Sequence, residues 1–147
     1  MTTSRGLLRA ATPGDCGALL QLWTLLFGSA AEEPWRGHAA DWFARRVECE
    51  ATARFPVIEV DGMVVATAVG ALDPDCVRGR TVRLMNVFTL ASHRGQGFGT
   101  ILVLDVLGWA RSIAADRVDL SATADGRRLY ERLGFTTTTT RRMNLVL

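Results

Sequence analysis

Between residues 82 and 112 the sequence passes from a β-branched apolar run, through three glycines within five residues, into a helix-period run. This succession narrows the fold more than any other feature. Val82 to Leu90 predicts a long strand, and Thr100 to Ser112 a helix apolar nearly all round. A helix of that kind is expected to be covered on several sides, as in a layered α/β domain. The junction, Arg94-Gly95-Gln96-Gly97-Phe98-Gly99-Thr100, carries the glycines. They permit backbone angles closed to other residues and leave the chain open to close approach.

The remaining segments alternate in the same way. Leu7–Ala10 reads as a short strand, and Thr12-Pro13 as the cap and first residue of a helix bearing Leu19, Leu22, Trp23 and Leu26, stopped by Gly28. Residues 29–34 read as a loop. A second helix over about 35–50 places Ala39, Trp42, Phe43 and Val47 on one side and pairs Asp41 with Arg45. Phe55–Val60 and Met63–Ala71 predict strands joined by Asp61-Gly62, a strong two-residue hairpin signal. Residues 72–80 form a polar loop. Val118–Leu120 reads as a strand, and Asp125 as the cap of a short helix bearing Leu129, Tyr130 and Leu133 and ended by Gly134. The Thr136–Thr140 run and Met143–Leu147 are expected as strands. The sum over residues 1–147 is one α/β domain, of the α+β type, with a mixed sheet.

Composition excludes several classes. A hydrophobic fraction of 48% rules out disorder, and no apolar run approaches a membrane span. No signal-peptide pattern is visible, so a cytoplasmic protein is expected. The net charge of +2 is too small to argue for nucleic acid. All 17 basic residues are arginine, as a biased base composition would produce. Cys16, Cys49 and Cys76 lack zinc or disulfide spacing, so no metal is expected and the thiols fill space.

The glycine segment carries the chemistry. Unobstructed amides at a helix start, where the dipole is positive, suit a pyrophosphate. A Walker loop is excluded because the chain has no lysine, and a dinucleotide fingerprint because position 100 is threonine.

Arg94-Gly95-Gln96-Gly97-Phe98-Gly99 resembles the acetyl-CoA loop [QR]-x-x-G-x-[GA] of the GNAT N-acetyltransferases, and Leu129-Tyr130-Glu131-Arg132-Leu133-Gly134-Phe135 resembles that family's L-Y-x-x-x-G-F signature. The order of elements agrees over almost the whole chain. The resemblance implies the GNAT fold: a central mixed β-sheet with splayed fourth and fifth strands, here 82–90 and 117–121, flanked by about four helices. It implies acetyl-CoA as cosubstrate, with the pantetheine arm along the backbone of Val87 and Thr89 and an oxyanion donor from the backbone N–H of Val87 or Phe88. The pyrophosphate would sit on amides from Gly95 to Thr100, Arg94 would stand beside it, and Ser121 would end the opposite strand. Arg127 and Arg128 either meet a CoA phosphate or form a solvated helix surface. Tyr130, the only tyrosine, takes the position of the acid that protonates the leaving thiolate.

The implied reaction is acetyl transfer to an amine of a small molecule or protein, without nucleic acid or membrane and with a homodimer as an open state. A CoA-binding module with little turnover is the alternative. Three positions depart from the family pattern: Asn86 stands where relatives carry a strand glutamate, Thr123 where asparagine is usual, and Ala91 where proline is usual. They leave the base among Glu32, Glu33, Asp41 and His93, or a water relay. The acceptor would meet residues 28–46 and 72–80, with Trp35, Trp42 and Phe43 as candidate walls.

Overall fold

The computed structural model describes residues 6–28, 35–74, 77–140 and 142–147. The expected loop 29–34, with Glu32 and Glu33, and Cys76 lie outside the described residues.

Six strands form one mixed sheet: β1 (Leu7–Ala10), β2 (Ala53–Arg54), β3 (Pro56–Val60), β4 (Met63–Asp73), β5 (Thr81–Thr89) and β6 (Arg117–Asp119). Their order is β1-β3-β4-β5-β6, with β2 beside β4. All pairings are antiparallel except β5 with β6, which is parallel. Because β2 is a separate strand, the pair expected as fourth and fifth is β5 and β6. Asp61 and Gly62 turn β3 into β4 with φ of 50° and 78°, positive at both central positions as a type I′ hairpin requires.

Helices cover both faces. α1 (Cys16–Phe27) and α2 (Trp35–Arg46) bury Leu19, Leu22, Trp23 and Phe43 against Val57, Val64 and Val69. α3 (Phe98–Ser112) buries Leu102, Val103 and Val106 against Ile58, Val65, Ala68 and Leu84, with α4 (Arg127–Arg132) at its edge. At Gly70 even a β-carbon would come 2.8 Å from Val106, so glycine lets α3 settle close on β4.

Several expectations change. Thr12 opens a short 3-10 turn, Pro13–Asp15, rather than α1 itself, and a capping box of Thr12 with Asp15 closes that turn. Asp15 also takes both arms of the Arg9 guanidinium, at 2.8 and 2.9 Å, which ties β1 to this entry. The second helix ends at Arg46, four residues early, and Val47 to Thr52 turn into β2. Asp41 and Arg45 form no ion pair among the described residues; Arg46, one residue on, lies over the Trp42 ring instead. α3 is not covered all round, since Ile101 and Leu104 are exposed at 40% and 49%. Gly126, not Asp125, is the cap residue of α4, and its N–H donates to Thr123 Oγ1 at 3.2 Å.

Thr136–Thr140 and Met143–Leu147 are irregular rather than strands. Strand propensity needs a ladder partner, and β6, the outer strand at that edge, spans only three residues.

Candidate functional site

The site is built where β5 and β6 part. They pair through Thr81↔Arg117, Val82↔Val118 and Arg83↔Asp119, and the pairing stops there while β5 runs on to Thr89. The backbone from Leu84 to Thr89 therefore faces an opening on that side. Ser121 lies past the end of β6 and is exposed.

A bulge re-aims β5 within this opening. Thr67 pairs with Phe88 but Val69 pairs with Met85, so β5 holds one more residue than β4 across the interval. Asn86 takes the strained position, with φ of 54°. Asparagine is among the few non-glycine residues that tolerate the left-handed region. The extra residue switches the alternation of side chains. Leu84 and Val87 pack towards α3, whereas Met85 and Phe88 pack towards α1 and α2. The expectation that Asn86 replaces a family carboxylate gains a second meaning here: it is the residue that permits the bulge.

The glycine segment sits beyond the end of β5. Gly95 and Gly97 both have φ of 80°, and a β-carbon on either would meet nothing within 4 Å. Both are exposed, so they open a cradle rather than relieve a clash. Gly97 caps α3 and, having no side chain, leaves the helix uncapped. The first N–H to find a partner is that of Ile101, bonded to the Gly97 carbonyl at 3.2 Å. The amides of Phe98, Gly99 and Thr100 thus keep their usual unpaired state at a helix start. The Phe98 side chain is buried in the core, leaving only its backbone for a ligand. Gly99 differs from its neighbours, because a β-carbon there would lie 3.3 Å from Leu129 Cδ2 on α4. Its smallness serves helix packing.

Arg94 donates from Nε to the Thr89 carbonyl at 3.1 Å and lies 5.7 Å from the Phe88 ring centroid. It braces the end of β5 from an exposed position. Tyr130 is half-buried, edge-on to Phe135 at a centroid distance of 5.8 Å. Burial pushes its hydroxyl above the ordinary tyrosine value of 10. Arg127 is taken up by Glu131 at 2.6 Å and by Thr137, an arrangement of the helix surface. Among the base candidates, His93 Nδ1 shares a hydrogen bond with Ser92 at 2.8 Å, and Asp41 is exposed on α2.

Of the candidate walls, Phe43 is 1% exposed and belongs to the core, and Trp35 stacks edge-on with Phe27. Of the three, Trp42 lines an open surface cleft of about 480 Å³. Arg46, Asp73, Arg83 and Met85 share that lining. Sequence reading missed Arg46 and Arg83, because nothing in their local spacing says that α2 and β5 bring them together.

Among the described residues no group of three or more His, Cys, Asp or Glu side chains is placed to hold a metal ion. No helix among them is long and apolar enough to cross a membrane.

Comparison with known proteins gives a consistent family. Residues 18–135 match the family described as Acetyltransferase (GNAT) family. An acetyltransferase structure from Trypanosoma brucei is 26% identical, with a TM-score of 0.78, covering 97% of this chain and 100% of that one. A protein from Clostridium acetobutylicum, described as a predicted acetyltransferase and solved with acetyl-CoA, is 21% identical, with a TM-score of 0.81 and coverage of 95% and 96%. Glucosamine-6-phosphate N-acetyltransferase from Arabidopsis thaliana is 16% identical, with a TM-score of 0.81 and coverage of 96% and 98%. No curated protein matches the sequence significantly.

Proposed function

The chain belongs to the GNAT acetyltransferase family, and from that premise we propose that it transfers an acetyl group from acetyl-CoA to a primary amine, both substrates being bound together. The observation that carries this reading is the placement of an uncapped, glycine-lined helix start beyond the open end of β5.

The residues present fit the cosubstrate. The open positions at Gly95 and Gly97, with the amides of Phe98 to Thr100, suit a pyrophosphate, because nothing obstructs approach to the backbone. The freed edge of β5 at Val87, and at Thr89 apart from the carbonyl that Arg94 takes, offers backbone groups to an extended amide-bearing arm, as an added strand would use them. Arg94 holds that edge in place through Thr89. Acetyl-CoA supplies an activated acyl thioester; the protein supplies position and proton handling.

Three tasks then fall to the chain. Charge developing on the acyl oxygen needs a donor aimed in advance, and the backbone N–H of Val87, next to the bulge, suits that role, whereas Phe88 faces its β4 partner Thr67. The departing thiolate, whose parent thiol has a pKa of about 8.5, needs a proton that the Tyr130 hydroxyl can give. Burial keeps that hydroxyl protonated to higher pH than usual, as a donor requires. An amine with a pKa of about 10.4 must lose its proton before attack. Since Asn86 cannot accept it, a water relay held by polar groups at the bulge is the route we assign.

Asn86 is also what favours the alternative, a CoA-binding module with little turnover. The test is thiol release from acetyl-CoA across a panel of primary amines, beside thermal stabilisation by acetyl-CoA. Stabilisation with thiol release supports transfer. Stabilisation without it on any amine supports the binding module, and neither would remove both readings.

A further inference from the structure

We propose that Arg46 selects acceptor amines that also carry an oxyanion, a carboxylate or a phosphate; this rests on the acetyl-transfer reading above. The cavity of about 480 Å³ between α2 and the strands β4 and β5 is lined by Trp42, Arg46, Asp73, Arg83 and Met85. Its charges do not cancel. Arg83 is matched by Asp73 at 3.1 Å. Arg46 has no carboxylate within ion-pair distance among the described residues; its guanidinium lies 4.8 Å over the Trp42 ring centroid, with a long 3.5 Å contact from Nη1 to the Trp42 carbonyl.

The half-buried guanidinium lies over the indole, and apart from that long Nη1 contact its N–H donors have no hydrogen-bond partner among the described residues. That geometry matches the planar pair of oxygens of a carboxylate or the oxygens of a phosphate. Among the described lining residues one cation is in excess, which on the wall of a concave site favours an anionic guest over a second cation.

The cavity also lies on the route to the reacting atoms. Met85 lines it and packs towards α1 and α2, and Val87 follows two residues later, across the bulge. An acceptor seated with its anion on Arg46 therefore extends its amine along β5 towards the splay, from the face opposite α3. Trp42 and Met85 supply an apolar path between the two ends.

The test compares matched acceptors: 5-aminopentanoate against pentylamine, and 3-aminopropyl phosphate against 3-aminopropanol. Thiol release is followed in wild type, Arg46→Gln and Arg46→Lys. A charged hydrogen bond of this type corresponds to about tenfold to a hundredfold in kcat/KM. The wild type is expected to prefer at least one anionic acceptor by about tenfold or more, mostly through KM. Arg46→Gln should collapse that ratio towards one, and Arg46→Lys should restore part of it; the two pairs tell carboxylate from phosphate. A wild type that prefers the neutral amines, or an Arg46→Gln variant that keeps the preference, overturns the proposal. If no amine is turned over, calorimetry with the N-acetylated products and CoA decides independently. Binding of the anionic products that is lost in Arg46→Gln upholds the role of Arg46 while the transfer reading falls. Equal binding of anionic and neutral products overturns it.

Discussion

Arg94 Nε donates to the carbonyl oxygen of Thr89 at 3.1 Å, so the residue that opens the glycine segment is fastened to the last residue of β5. The bond is exposed, and an exposed hydrogen bond is worth about 1 kcal/mol. Arg94→Ala should therefore weaken acetyl-CoA binding by about fivefold and leave the fold intact. Calorimetric titration of the variant checks this. A loss of several hundredfold would mean that the guanidinium itself is the main phosphate ligand.

Gly97 and Gly99 should respond differently to valine, although they are two residues apart. Gly97→Val blocks an open cradle and strains a backbone at φ of 80°. It should cost about 1–2 kcal/mol of stability and most of the acetyl-CoA affinity. Gly99→Val instead drives into Leu129 and should lower the melting temperature by displacing α4. Parallel denaturation and binding measurements separate the two. Near-normal binding by a folded Gly97→Val protein would remove the pyrophosphate assignment.

Asn86 offers a test of the bulge. Glycine accepts φ of 54° without strain, whereas a β-branched residue does not. Asn86→Gly should retain stability and acetyl-CoA binding. Asn86→Val should lose about 1–2 kcal/mol and weaken binding, because relaxing the bulge turns Val87 away from the α3 side. Equal stability of the two variants would show that position 86 is not strained.

Asp15 links the fold to acid. Hydrogen bonding to Arg9, opposed in part by burial and helped by the Thr12 amide, holds its carboxyl at about 2, below the usual 3.8. A lowered carboxylate contributes stability that is present above pH 3.8 and is lost as pH falls through about 2. Asp15→Asn should cost about 1–3 kcal/mol at pH 7 and much less at pH 2. Denaturant unfolding at both values measures the difference, and a penalty that stays constant with pH contradicts the ion-pair account.

The parts of this molecule that were legible in advance are those set by short-range chemistry. Asp61-Gly62 specifies its own turn, and the glycines between β5 and α3 announce a helix start that no side chain closes. Longer-range features were not. The bulge at Asn86 depends on β4 as much as on β5, because it exists only as a mismatch between Thr67↔Phe88 and Val69↔Met85. The threonine run has strand propensity without a ladder to join. Arg46 looks like any polar residue of a helix C-terminus until the fold stacks it on Trp42 and sets it across from Arg83 and Met85. The apolar count of α3 also overstated its burial, since composition does not say how many sides a neighbour covers.

The most direct measurement is the turnover of Tyr130→Phe on the best acceptor from pH 6 to 11, beside its acetyl-CoA dissociation constant. The ring keeps its edge-on contact with Phe135, so folding and cofactor affinity should change little. A proton donor matters mainly in the transition state, and general acid catalysis is worth roughly 10²–10⁴-fold. A CoA thiolate already leaves readily, so kcat should fall by about tenfold to a few hundredfold, at or below the lower end of that range. In the wild type the rate should decline on the alkaline side only above pH 10, since burial raises the hydroxyl, and the variant should lack that decline. A phenylalanine variant with wild-type kcat and the same alkaline limb would contradict the account and leave Tyr130 as a packing aromatic.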